Sequence, residues 1–313
     1  ELTLKSYYVR KKFSNILLHN IKSELKRSGI KYQISHERGR IIIKTRAIKK
    51  VSQILKRTFG ISYFYVCIHV KLNRLEEFIK NNWRRFIDPK KTFAVRVKRI
   101  GKHEFTSMEL AAKLGSYIDA KVNLSNPQQV LYVEVRQNDC YISNTKVECF
   151  GGLPIGATGK VVVPITDSYS LITAWLMMKR GCEIVPVFFS KRRNEINKLL
   201  KVLKKWTIGR NLRTFTCSVQ SLGEVKSNYK EIVKRKIQYC IAGEITTLTN
   251  SLGLVGSEVL GHHLNDLRLI QFLDYDLPCP VFRPIISFDD DMISSLANIV
   301  EVKIKRKKPK DVD

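Results

Sequence analysis

The chain has 313 residues, of which 44% are hydrophobic and 27% charged, a balance that builds two or three packed units and excludes wholesale disorder. Lys and Arg number 56 against 28 Asp and Glu, and the resulting +28 gathers polyanions at the surface, which points to nucleic acid as partner. No apolar run reaches the roughly 18 residues that a spanning helix needs and no apolar signal core opens the chain, so a membrane role is disfavoured and a cytoplasmic location is expected.

After the opening "ELTLK", apolar residues at Phe13, Leu17, Leu18, Ile21 and Leu25 recur at helical spacing, with Lys and Arg on the other face. "KYQISHERGRIIIKT" holds two strand-like runs around a Glu37-Arg38-Gly39 turn, as in a hairpin. Ile48, Val51, Ile54, Leu55 and Phe59 form a second helical stripe closed at Gly60, and "ISYFYVCIHV" is a strand by its β-branched and aromatic content. The order α-β-β-α-β describes a ferredoxin-like unit over residues 1–57 whose first strand is short or absent.

A second unit with its linker is expected over 58–160. Leu75, Phe78, Ile79, Trp83 and Phe86 predict a helix closed by Pro89. In "KTFAVRVKRI", Phe93, Val95 and Val97 alternate with Arg96 and Lys98, which puts the basic side chains on one face of a strand. Thr106-Ser107-Met108-Glu109 fits a capping box that opens a helix, and "LYVEVR" and "CYISNTKV" read as two further strands. Phe105 and Tyr117 are expected in the core.

Beyond "GGLPIG" the pattern becomes strand, helix, strand, helix: "KVVVPI", "SLITAWLMMKRG", "CEIVPVFF", "NEINKLLKVLKKW", "TFTCSVQ", "NYKEIVKRKIQYCIAGEITTL" and "LGLVGSE". Near-continuous apolar strands alternating with helices predict a parallel sheet covered on both faces, over 161–305, with "LPCPVFRPIISFDDDMISSLANIV" as its last strand and helix. A basic tail, 306–313, is too polar to pack. The seven cysteines (Cys67, Cys140, Cys149, Cys182, Cys217, Cys240, Cys279) are odd in number and lack a C-x-x-C pair, which argues against a disulfide framework or zinc ribbon; most are expected to be buried.

At "TFAVRVKRIGKHEFTSMELA", "KVNLSNP", "YVEVR" and "GGLPIGATGK" the sequence resembles the THUMP domain and following linker of the tRNA 4-thiouridine synthetase family. The likeness extends upstream to "LKSYYVRKKF", in that family's ferredoxin-like domain, and downstream to "LITAWLMMKRGCEIVPVFF" and "LPCPVFRPIISFDDDMI", in its PP-loop ATP-pyrophosphatase domain. The fold class is thus α/β and multi-domain: ferredoxin-like, THUMP, and a Rossmann-like PP-loop domain with a parallel sheet. The resemblance implies a grip on the acceptor stem and 3′ end of tRNA, and adenylation of a uridine before sulfur replaces its oxygen.

In the family the PP-loop runs S-G-G-x-D-S. Counted back from Met177, those positions here are Ile165, Thr166, Asp167, Ser168, Tyr169 and Ser170, and a two-residue slip puts Pro164 and Ile165 where the glycines belong. Either register lacks both glycines, which would let the backbone turn its amides onto a phosphate at a helix N-terminus. Asp167 and Ser168 are preferred N-caps, whose oxygens would take those amides. Without a metal, an aspartate ~4 Å from a phosphate charge costs about 4 kcal/mol at an effective dielectric near 20, against about 0.3–1 kcal/mol returned by the helix dipole. Thr166, Asp167, Ser168 and Ser170 are therefore read as caps, no catalytic or metal residue is assigned, and no cofactor is expected unless a variant loop holds ATP with magnesium on Asp167. The C-x-x-C pair that some archaeal relatives carry near "YKEIVKRKIQYC" is reduced to Cys240, and His262-His263 is read as a solvent-facing pair.

The residues expected to touch RNA are Lys5, Arg10, Lys11 and Lys12 near the opening, Arg96, Lys98 and Arg99 on the basic strand, Lys102 and His103 after it, and Lys113, Lys121 and Asn123 beyond. Three functions are compatible with these residues: a tRNA-binding THUMP protein with a degenerate nucleotide loop serving a separate catalytic or sulfur-donor protein, an active ATP-dependent sulfurtransferase, or a homodimerising scaffold.

Overall fold

The computed structural model describes residues 6–37, 39–190, 192–217, 230–261 and 267–304. The chain divides into two compact units: one combines residues 1–62 with 149–313, and the other is Tyr63–Glu148.

In the first unit, helix α1 (Tyr7–Arg27) starts at Ser6, whose hydroxyl accepts from the Val9 amide, and buries Phe13, Leu17, Ile21 and Leu25 as the spacing predicts. A hairpin of β1 (Gln33–Glu37) and β2 (Arg40–Lys44) follows, then helix α2 (Ile48–Lys56). The second helical stripe extends past the real helix. Ile48 is exposed, and Phe59 lies beyond the helix end, where its ring stacks on Trp206 at 5.9 Å and meets Trp175 edge-on at 5.4 Å. Packing of one large ring into a distant core outweighs one more helical turn. Strand β3 (Ile61–Tyr65) pairs with β8 (Lys146–Gly151), not with the hairpin. The residues where a first ferredoxin-like strand would fall lie outside the described residues.

The rest of this unit is the expected parallel sheet. Strands β9 (Lys160–Ile165), β10 (Glu183–Phe188), β11 (Phe215–Thr216), β12 (Leu254–Val255) and β13 (Val281–Phe282) lie in the order β11-β10-β9-β12-β13. Their helices are α5 (Ser168–Lys179), α6 (Arg193–Lys204), α7 (Lys230–Leu248), α8 (Leu267–Asp274) and α9 (Asp290–Val300). One face packs Val161, Val163, Trp175 and Met178, and the other packs Val162, Val185, Val187 and Tyr239. The order reverses between β9 and β12, and such a switch point opens a crevice at the carboxyl ends of the strands.

The α1 region is joined to this sheet domain by polar contacts of long sequence separation. Asn20 Nδ2 donates to Ile155 O at 3.0 Å, and the Gly209 amide donates to Glu24 Oε2 at 2.9 Å. Gly209 has φ +70°, and a Cβ there would collide with the Asn20 backbone, so the close approach requires glycine.

The second unit is a four-stranded sheet in the order β4-β7-β6-β5, formed by β4 (Ile68–Lys71), β5 (Phe93–Ile100), β6 (Gln129–Arg136) and β7 (Asp139–Ser143). Helices α3 (Leu75–Asn82) and α4 (Ser107–Gly115) bury Ile79, Leu110 and Leu114 against Phe93, Val95, Leu131, Val133 and Ile142. The Thr106–Glu109 capping box is present, and Phe105 and Tyr117 pack at the edge of this core. Of the seven cysteines, all free, just Cys140 and Cys182 are buried; Cys67 and Cys240 are exposed and the other three half-buried, which corrects the expectation that most would be buried. Burial pushes the Cys140 thiol up to about 12.

Candidate RNA interface and nucleotide turn

At the switch point β9 delivers the chain to Thr166, and α5 begins two residues later. Ile165 and Pro164 are buried, and Pro164 has no amide to offer. Asp167 is the N-cap: its Oδ1 accepts from the Ser170 amide at 3.0 Å. Ser170, 1% exposed, reaches back so that its hydroxyl accepts from the amides of Thr166 (3.1 Å) and Asp167 (3.2 Å) and donates to Asp167 O at 2.7 Å. Three amides of the turn are thus held by oxygens of the turn itself, and a carboxylate stands where the helix dipole favours an anion. Ser168 departs from its expected capping role: its hydroxyl donates to Lys303 O at 2.7 Å, 135 residues away. Tyr169 packs at the margin of the core.

Across the crevice, just past β12 and β13, lies a charged cluster that sequence patterning missed. Glu258 is 1% exposed. Its carboxylate accepts from Tyr239 Oη at 2.6 Å and from Arg283 Nε at 2.9 Å, with Arg235 Nη1 at 3.7 Å. Arg283 donates onward to both oxygens of Asp274, at 2.8 and 2.5 Å. Burial first, and then the neighbouring Glu258 charge, push the Tyr239 hydroxyl well above its usual range. The one available signal was position: Glu258 and Arg283 each follow a strand end at the carboxyl edge of the sheet. His262 and His263 lie outside the described residues, and among the described residues no group of three or more His, Cys, Asp and Glu side chains could hold a metal ion.

In the second unit the expected RNA-facing residues separate into two kinds. Arg96, Lys98, Lys102, Lys113 and Lys121 are exposed. Arg96 is steadied by a bond from Nη2 to Leu124 O at 2.5 Å, and Lys113 by an ion pair to Glu76 at 2.7 Å. The hydrogen bond to Glu76 raises the Lys113 ammonium above its ordinary value, so it stays charged. Arg99, by contrast, falls on the other face of β5 and is half-buried, with Nη1 on His103 O at 3.4 Å and its guanidinium 5.9 Å from the Phe105 ring. His103 Nε2 lies 3.1 Å from Gln137 O. Arg99 Nε and His103 Nδ1 are enclosed without a protein partner. Asn123 Oδ1 accepts from the amides of Ser125 and Asn126, closing the loop before β6. In the first unit Arg10, Lys11 and Lys12 are exposed on the first turns of α1, and Lys5 lies outside the described residues.

The profile of the ThiI ferredoxin-like domain matches residues 1–65, that of the THUMP domain 75–144, and that described as thiamine biosynthesis protein (ThiI) 156–311. A probable tRNA sulfurtransferase of Sulfurisphaera tokodaii is 31% identical over 318 residues, covering 96% of this chain and 84% of that protein. One of Saccharolobus islandicus is 29% identical over 314 residues, with 95% and 83% covered. Among solved structures, a 4-thiouridine synthetase in complex with RNA and bound ATP superimposes with a TM-score of 0.83 at 26% identity, covering 95% of this chain and 82% of that one. PH1313 from Pyrococcus horikoshii superimposes with a TM-score of 0.79 at 25% identity, with 96% and 97% covered.

Proposed function

The chain belongs to the ThiI family of tRNA sulfurtransferases, and from that premise we propose that it binds tRNA and acts in tRNA modification with a nucleotide turn that has given its amides to its own side chains. The observation that carries the second half is the Asp167–Ser170 pairing: the three amides at Thr166, Asp167 and Ser170 are already bonded, and Pro164 supplies none. A triphosphate does not fit this turn without displacing Ser170 Oγ, a buried hydroxyl whose loss would leave two amides unpaired. On this reading the chain presents tRNA to a separate catalytic or sulfur-donating protein, and no adenylation step is assigned to it.

The tRNA half rests on the +28 charge and on cations displayed at fixed positions: Arg96 and Lys98 side by side on β5, with Lys102, Lys113 and Lys121 around them, and Arg10, Lys11 and Lys12 on α1. Phosphate contacts of this kind fix register on a folded RNA and make affinity salt-dependent. A second reading, retained ATP use, is favoured by one observation: the similar 4-thiouridine synthetase carries bound ATP. Here magnesium would fall to Asp167.

Equilibrium dialysis of the purified chain with ATP and magnesium, with and without tRNA, separates the two. The expected result is saturable tRNA binding with no retained nucleotide. Stoichiometric ATP, or thiolated tRNA produced by the chain with a sulfur donor alone, would overturn the proposal in favour of the second reading.

A further inference from the structure

The first turn of α1 carries two consecutive tyrosines whose rings are left exposed by the described residues. Tyr7 is 71% and Tyr8 76% exposed. The buried stripe Phe13, Leu17, Ile21, Leu25, carried back one step of four, passes through Val9, so both tyrosines fall off the core face of the helix. Large rings held in water on a rigid helix cost hydrophobic free energy unless a partner covers them.

The surroundings specify the partner. Side chains three and four positions apart are neighbours on a helix, which puts Arg10 and Lys11 beside Tyr7, and Lys11 and Lys12 beside Tyr8. The Arg10 guanidinium lies 5.9 Å from the centre of the Tyr7 ring, so one face of that ring is engaged, while Tyr8 is the more exposed of the two. No acidic residue occurs between Leu2 and Ser23. A helix seating itself on a lipid surface would set aliphatic residues beside the rings, whereas Ser6, Arg10, Lys11, Lys12, Ser14 and Asn15 are polar. Rings for π-contact, with cations one helical turn away for the flanking phosphates, match a nucleotide. Bases inside a duplex hide their faces against each other, so the match is to an unpaired one.

We propose that Tyr8, with Tyr7 beside it, is a stacking platform for an unpaired nucleotide of the bound RNA, its phosphates held by Arg10, Lys11 and Lys12. The proposal rests on the tRNA-binding reading above and adds to it a site for a single-stranded base.

The test uses the full chain, a tRNA transcript, and a fully paired RNA duplex of similar length. Replacing both tyrosines (Y7A/Y8A) should weaken tRNA binding by about five- to 150-fold, the range for losing one stacked base, and leave duplex binding within about twofold. The pair Y7F/Y8F keeps the rings and should bind tRNA like the parent chain. In parallel, 2-aminopurine at an unpaired position of the tRNA should be quenched by the parent chain and by Y7F/Y8F, and not by Y7A/Y8A. Equal losses on tRNA and duplex, no loss on tRNA, or failure of the phenylalanine pair would each overturn the platform. Parent-level tRNA binding by Y7A/Y8A would sink this inference alone; absence of tRNA binding by the parent chain would sink the functional reading with it. Unchanged far-UV circular dichroism of the variants keeps a folding defect from being read as lost stacking.

Discussion

Tyr239 is enclosed and hydrogen-bonded to a carboxylate, and its hydroxyl stays protonated well above the usual tyrosine range. A group whose pKa is raised on folding contributes stability that is full below its unfolded value and lost as pH rises toward the folded one. Stability should therefore decline above about pH 10, as the unfolded chain ionises a tyrosine that the folded chain keeps neutral. The Cys140 thiol, raised to about 12, adds to the same alkaline limb from about pH 9 upward. Tyr239→Phe removes a buried bond to a charged group and should cost about 1.5–3 kcal/mol at neutral pH, while flattening the limb above pH 10. Denaturant melts of both chains from pH 7 to 11 check this, and parallel curves would refute it. Beyond the placing of Glu258 and Arg283 after strand ends, no local pattern announced this cluster, because Tyr239, Glu258, Asp274 and Arg283 come from four separate segments. The Asp167 cap was legible because its partner, Ser170, lies three residues on.

At the scale of elements, helix α5 depends on two side chains for its entry. Asp167→Ala should destabilise by about 1 kcal/mol, the ordinary worth of a cap. Ser170→Ala should cost about 1–3 kcal/mol, since two backbone amides in a partly buried turn lose their acceptor. If thermal melts put the Asp167 variant as the more damaging of the two, the hydrogen-bond assignment at this turn is wrong. Phe59 governs a different junction: its ring lies between Trp175 and Trp206, on a segment just past α2. Phe59→Ala should cost about 3–5 kcal/mol and leave a cavity shared by two tryptophans. Helical spacing placed Phe59 on α2, since a stripe cannot report where the helix stops and which core the next ring enters. The sheet strands were plain in the sequence because each is apolar on both faces, while β11, β12 and β13, two residues each, could be placed but not measured.

For the whole molecule, the charge excess predicts tRNA affinity that falls linearly with salt on logarithmic axes, with a slope of about −0.7 to −0.9 for each phosphate neutralised. Arg96→Ala and Lys98→Ala, on the exposed face of β5, should each reduce that slope by about one. Arg99→Ala is expected to act otherwise. Its guanidinium braces the loop that carries His103 and Phe105, so its loss should lower the melting temperature of the second unit more than it changes the salt slope. Filter binding at four or five salt concentrations distinguishes the two behaviours.

Composition, periodicity and local motifs determined the α/β class, the parallel sheet, the capping box at Thr106, the N-cap at Asp167, and the basic strand at Arg96 and Lys98, because each depends on interactions a few residues long or on a repeat of two or 3.6. Tertiary structure alone decided that β3 pairs with β8, that Ser168 is bound to Lys303, and that Glu258 is buried among Tyr239, Arg235 and Arg283. These are contacts between segments tens to more than a hundred residues apart. Their energy appears when packing brings polar groups out of water together, and no local pattern encodes which segments will meet.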